Sequence, residues 1–157
     1  MPRHDQTVAL VTGAGHGIGL AIASQLAREG AAVAVLEINA ARGRETLEVL
    51  QAEGARAIFV EADIADPAQV ETAFAAAAGA LGPINLLVNN AAFTTVGTLK
   101  AMTLPAWHNE ISVNLNGTYH CIRAMVPRMQ AQGGGAIINI ASVNGLRYFG
   151  NPAFAAL

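Results

Sequence analysis

The sequence predicts an α/β protein built on a doubly wound parallel sheet of order 3-2-1-4-5, with helices on both faces. Three observations carry that prediction. Hydrophobic residues make up 53% of the 157 and charged residues only 13%, an excess suited to strands buried on both faces by helices. Short apolar runs alternate along the chain with segments of helical period. The first run enters a glycine-rich segment directly, which is the turn a strand needs to feed a helix at close range. Right-handed crossovers between strands then give the sheet order and put a ligand beyond the carboxyl ends of the strands, near strands 1 and 4.

Each element has its own signal. Thr7 to Val11 reads as the first strand. Ile18 to Glu29 reads as a helix, with Ile18, Ile22 and Leu26 on one face and Gly30 as its stop. Ala32 to Leu36 is the second strand, and Ala40 to Glu53 a helix with Leu47 and Leu50 on its apolar face. Ala57 to Val60 is the third strand. Pro67 to Leu81 is a helix, with Asp66 as its N-cap. Ile84 to Val88 is the fourth strand. A long helix runs from Leu104 to Gln130, capped by Thr103, with Trp107, Ile111, Leu115, Ile122, Val126 and Met129 in helical period. Gly133, Gly134 and Gly135 break it, and Ala136 to Ile140 is the fifth strand, after which the sheet is truncated in this sequence. The whole, residues 1–157, reads as a single domain.

Composition excludes several function classes. The formal net charge is -2, and no basic stripe exists to neutralise phosphates, which argues against nucleic-acid binding. Cys121 is the single cysteine; it has no internal disulfide partner and fits a reducing compartment. His4, His16, His108 and His120 have no metal-ligand spacing, so no metal site is expected. No apolar run approaches the roughly 18 residues a spanning helix needs. The start, with a polar leader running into a short apolar strand, does not read as a signal peptide, and the expectation is a soluble cytoplasmic protein without a membrane partner.

The chemistry-bearing motif is Thr12-Gly13-Ala14-Gly15-His16-Gly17-Ile18-Gly19. Glycines here allow a tight turn and a close approach of backbone to a pyrophosphate, and the helix start offers N–H groups and a positive dipole end. The spacing is G-x-x-x-G-x-G, and no Gly-Lys-Ser/Thr follows, so a phosphate-cradling P-loop is excluded. His16 is a candidate phosphate contact, though a solvated loop histidine is an equal reading. Glu37 closes the second strand, near the offset of about 20 residues at which an acid meets ribose hydroxyls. A carboxylate there repels a 2′-phosphate, which favours NAD over NADP, with Arg42 and Arg44 nearby acting against that preference. Asp63 follows the third strand, where an Asp can accept from an adenine amino group, though by itself such a residue is more often a turn residue or cap.

Taken together, Thr12 to Gly19, Glu37, Asp63-Ile64, Asn89-Asn90-Ala91-Ala92 after the fourth strand, Asn114 within Val113-Asn114-Leu115, and Ser142 after the fifth strand resemble the short-chain dehydrogenase/reductase family. The resemblance covers essentially the whole chain and implies a Rossmann-like fold. The family's NNAG appears here as NNAA, with Ala92 in place of glycine. The resemblance also implies roles. Gly13, Gly15, His16, Gly17, Ile18, Gly19, Glu37, Asp63, Ile64, Asn90, Ala91 and Ala92 would hold the dinucleotide, with Ala91 against the adenosine ribose. Asn114 would kink the long helix and hold a water of the proton relay. Ser142 would steady charge developing on a substrate oxygen. Phe93, Thr94, Asn144 and Arg147 flank the expected cleft.

The family's tyrosine, with a lysine four residues later, handles the proton. Here Gly150-Asn151-Pro152-Ala153 leads to Phe154 where that tyrosine belongs, and Phe154 has no ionisable proton. Lys100 is the only lysine and the tyrosines are Tyr119 and Tyr148; the expected lysine position falls after Leu157. The favoured reading is a piece of a longer protein. The expected function is an NAD-dependent oxidoreductase acting on a secondary alcohol or ketone, in a homo-oligomer (dimer or tetramer). The rival is a non-catalytic dinucleotide-binding or assembly protein.

Overall fold

The computed structural model describes residues 3–95, 98 and 100–143. Five parallel strands, β1 (Val8–Thr12), β2 (Ala32–Glu37), β3 (Ala57–Glu61), β4 (Leu86–Asn89) and β5 (Ala136–Asn139), lie in the order β3-β2-β1-β4-β5. They alternate with helices α1 (Gly17–Arg28), α2 (Ala40–Ala52), α3 (Pro67–Leu81), α4 (Leu104–Ile111) and α5 (Thr118–Ala131). The predicted order therefore holds. The expected cover of helices is seen at the centre of the sheet: β1 and β2 are buried at every residue, as strands covered on both faces must be.

The period of two along each strand sorts the core into two layers. Leu10, Ala34, Leu36 and Leu87 face α3 and α5, where they meet Val70, Phe74, Ala77, Cys121, Met125 and Met129. Val11, Val33, Val35 and Val88 face α1 and α2, where they meet Ala23, Ala27 and Leu50. The caps behave as the sequence predicts. Asp66 accepts from Ala68 N and Gln69 N, and Thr103 accepts from Ala106 N.

Three details differ from the sequence reading. The face of α1 against the sheet is Gly19, Ala23 and Ala27, while Ile22 and Leu26 are only partly buried and Ile18 is 63% exposed. Small residues let the helix lie close to the sheet, so the large ones flank the contact. The fourth strand begins at Leu86, because the Asn85 side chain takes over at its start. That side chain accepts from Val8 N at 2.9 Å and donates to Gln6 O at 2.9 Å. Finally, the long helix is interrupted: Ser112–Gly117 is a π-helical segment between α4 and α5. The buried face of this helix runs through Glu110, Gly117, Cys121, Ala124, Met125 and Met129. Of the predicted stripe only Met129 is buried, and Leu115 is 51% exposed. Two apolar stripes exist, and periodicity alone does not say which one meets the sheet.

Candidate functional site

Apart from Asn114 and Phe154, the predicted site residues come from five separate chain segments, and the parallel topology brings them to one edge. The glycine loop follows β1, Glu37 ends β2, Asp63 and Ile64 follow β3, Asn90 to Ala92 follow β4, and Ser142 follows β5. All lie at the carboxyl ends of the strands, where a doubly wound sheet opens its cleft.

The loops after β1 and β4 are knotted together. The Thr12 hydroxyl accepts from Asn90 N and Ala91 N, both at 3.0 Å, and donates to Val88 O at 3.4 Å. The Asn90 amide donates to Thr12 O at 3.0 Å and Gly13 O at 3.2 Å. Two glycines make this possible. A Cβ at Gly13 would stand 2.7 Å from Ala91 Cα, and one at Gly19 would stand 2.3 Å from Gly13 O. In the sequence Thr12 is only the first residue of the glycine motif; in the fold its hydroxyl is the centre of the knot.

The Ala14–Gly15 peptide is held at both ends. Gly15 N donates to Glu37 Oε2 at 3.1 Å, and Ala14 O accepts from the buried Thr46 hydroxyl at 3.2 Å. A Cβ on Gly15 would lie 2.7 Å from Glu37 Oε2, so this glycine makes room for the acid. The other Glu37 oxygen accepts from Asn39 N at 3.0 Å, and the residue is 5% exposed. A buried carboxylate needs such donors. Thr46 carried no sequence signal, because a threonine within a helix is ordinary.

The start of α1 is open. His16 occupies the N-cap in an extended conformation without a side-chain cap bond and is exposed. The first-turn N–H groups have no intrahelical partner by geometry. Gly17 has φ 56°, and a Cβ there would meet nothing within 4 Å. An open, bare backbone at a helix N-terminus, beside the exposed Ile18, fits a pyrophosphate. Asp63 is engaged in a local turn: Oδ1 accepts from Ala65 N at 2.8 Å. Ile64 packs on Gly117, where a Cβ would stand 2.6 Å from its Cδ1, and its carbonyl meets His120 Nδ1 at 3.0 Å. His120 and Cys121 are thus packing residues, with burial pushing the Cys121 thiol up to about 12.

Asn114 sits in the π-helical segment. Its amide accepts from Phe93 N and donates to Phe93 O, both at 2.8 Å, while its backbone carbonyl accepts from the Thr118 hydroxyl at 3.0 Å. Its side chain therefore fastens the helix to the loop after β4. Ser142 is exposed in the turn after β5. Phe154, Tyr148, Asn144 and Arg147 lie outside the described residues. Among the described residues no group of three His, Cys, Asp or Glu is placed to hold a metal ion, and no helix is long and apolar enough to cross a membrane. A cavity of about 430 Å³ lined by Asp5, Thr7, Ala31 and Arg56 lies at the amino ends of the strands, away from this cleft.

A glycine loop, a buried acid and an open helix start on a 3-2-1-4-5 sheet define a dinucleotide-binding class of fold. The family is more specific. The short chain dehydrogenase model matches residues 7–156, and the chain belongs to that family. It is 42% identical over 135 residues to an uncharacterized oxidoreductase of Thermotoga maritima, covering 86% of this chain and 53% of that protein. It is 41% identical over 145 residues to D-threitol dehydrogenase of Mycolicibacterium smegmatis, covering 89% and 54%. Among solved structures, a short chain dehydrogenase/reductase from Burkholderia phymatum in complex with NAD matches with TM-score 0.93 and 32% identity, over 99% of this chain and 56% of that one. The chain spans about half the length of the curated relatives it matches.

Proposed function

We propose that residues 1–157 are the dinucleotide-binding domain of an NAD-dependent oxidoreductase that works between nicotinamide and a secondary alcohol or ketone. The observation that carries this reading is the Glu37 carboxylate, buried at the end of β2 and held between the Gly15 and Asn39 N–H groups. It stands beside the open start of α1. A fixed negative charge there suits ribose hydroxyls and opposes a 2′-phosphate. Arg42, exposed on α2, acts in the other direction but carries no such anchoring.

In this reading Gly13, Gly15, His16, Gly17, Ile18 and Gly19 surround the pyrophosphate, and Asp63 and Ile64 flank the adenine. Asn90, Ala91 and Ala92 line the inner side of the cofactor. NAD(H), when bound, supplies the hydride chemistry. Ser142 steadies a substrate oxygen with its hydroxyl. Asn114, whose carbonyl accepts from the Thr118 hydroxyl, holds a water of the proton relay in this reading. D-threitol dehydrogenase and the NAD complex among the similar proteins support the substrate and cofactor classes. The outer stripe of α4 and α5, through Trp107, Ile111, Leu115, Ile122 and Val126, supports a homo-oligomer, and the single free cysteine suits the cytoplasm.

Phe154 favours a second reading, dinucleotide binding without turnover, because its ring has no proton to exchange. The two readings share the first test, a calorimetric titration of the full-length protein with NAD and NADP. NAD should bind at least about tenfold more tightly than NADP, a difference of roughly 1.4 kcal/mol. Tighter NADP binding would overturn the cofactor assignment, and no binding of either would overturn both readings.

A further inference from the structure

We infer that Glu110 is a positioning residue that, with Asn114, holds the loop after β4 as one wall of the substrate cleft. This rests on the proposed function for the cleft's identity, but the clamp itself stands on geometry. Glu110 is 0% exposed, on a helix whose neighbouring His108 and Asn109 are exposed. Its Oε1 accepts from Thr95 N at 2.7 Å and also from the Thr95 hydroxyl. Four residues on, the Asn114 amide takes both backbone groups of Phe93. Side chains four apart share a helix face, and residues 93 and 95 are the alternate positions of a passing segment. The helix therefore offers this loop polar partners in the place of a neighbouring strand. Thr94 lies between the two clamped residues, and Phe93 is 40% exposed.

A buried carboxylate is an expensive way to hold a loop unless its donors are kept in place. Here one acceptor oxygen takes both the backbone N–H and the hydroxyl of Thr95. Glu110 thus fixes the loop at Thr95, three residues past Ala92. Loosening it should change what Phe93 and Thr94 present to a substrate while leaving the Thr12–Asn90 knot and the Glu37 anchor untouched.

The test uses the full-length protein with Glu110→Ala, Glu110→Gln and Thr95→Val. Hydrogen exchange is followed in peptides spanning 91–95 and 12–19. NAD(H) affinity is measured by calorimetry. Cyclohexanone is titrated into the NADH complex and read by NADH fluorescence. Glu110→Ala should speed exchange at 91–95 by about tenfold or more, the effect of one lost strong hydrogen bond. Exchange at 12–19 and NAD(H) affinity should stay within about twofold, and the apparent Kd for cyclohexanone should rise at least about fivefold. Glu110→Gln keeps an acceptor oxygen and should recover most of the protection, and Thr95→Val should fall between. Unchanged exchange at 91–95 in Glu110→Ala would overturn the proposal. So would an equal loss at 12–19 with a matching loss of NAD(H) affinity, which would mark general destabilisation. If Glu110→Ala does not fold, Thr95→Val decides by the same two peptides. Failure of the unaltered protein to bind NAD(H) would sink the dinucleotide reading, and the exchange comparison would still decide the clamp.

Discussion

At the residue scale the site is governed by places where no side chain fits and by one acid that cannot move. Gly19 is the sharpest case, since an added Cβ would press on a backbone carbonyl at 2.3 Å and on Asn90 Nδ2 at 2.5 Å. Neither can give way without opening the knot between the loops after β1 and β4. Gly19→Ala should cost about 1–3 kcal/mol as an overpacking defect and weaken NAD(H) binding, as read by thermal unfolding and calorimetry. Stability within error of the original would show that the loop relaxes freely. The second case is Phe154. If that position carries the proton-transfer role implied by family resemblance, Phe154→Tyr in the full-length protein should raise turnover of a secondary alcohol by about a hundredfold or more, the ordinary contribution of a general acid–base group. No gain in a variant that still binds NAD(H) would support binding without turnover.

At the element scale the caps and the helix interruption set the geometry. Asp66 begins α3, and its carboxyl is held below the ordinary range, first by its hydrogen bond with the Gln69 side chain and then by the Ala68 and Gln69 backbone N–H groups. A depressed acid contributes stability above its unfolded pKa and loses it as pH falls through the folded value. Melting temperature should therefore decline on acidification below the usual carboxylate range, and Asp66→Asn should flatten that part of the curve. An identical acid profile in the variant would remove Asp66 from the account. The caps were legible because Asp-Pro and Thr-x-Pro are local signals. The π-helical segment was legible only as a kink implied by resemblance. Its cause is tertiary: Asn114 must reach the Phe93 backbone while Gly117 accommodates Ile64.

At the scale of the whole molecule, two apolar layers cover the central strands of the sheet, and Cys121 lies inside the layer of α3 and α5. Burial raises its thiol to about 12, against about 8.5 for a free thiol. The folded state therefore keeps the proton that the unfolded chain releases, so stability should be full below about pH 8.5 and fall as pH rises toward the folded value. Native protein at pH 8 should resist iodoacetamide, and the same thiol should react once unfolded, with the extent read by intact mass. Rapid alkylation of the native protein would mean that this layer opens readily. Cys121→Ser should lose stability at neutral pH, because a hydroxyl in that layer is a buried polar group.

The sequence by itself determined the class of fold and the order of strands, and it put forward the chain positions of the candidate site. These depend on local signals: apolar runs, glycine spacing, caps and the alternation of strands with helices. It also brought Gly13, Gly17, Gly19, Glu37 and Asn90 forward as candidates. Only the tertiary structure decided which faces are used and who holds what. The sequence placed Ile18 on the packing face of α1, yet close approach to the sheet selects Gly19, Ala23 and Ala27 instead. It could not choose between the two apolar stripes of the long helix, because both have the same period. The bond of Gly15 to Glu37, the tie of Thr46 to Ala14, and the hold of Glu110 on Thr95 join residues 15 to 32 positions apart. A hydrogen bond between distant segments leaves no period or spacing in the chain, so its residues become visible only when the fold brings them together.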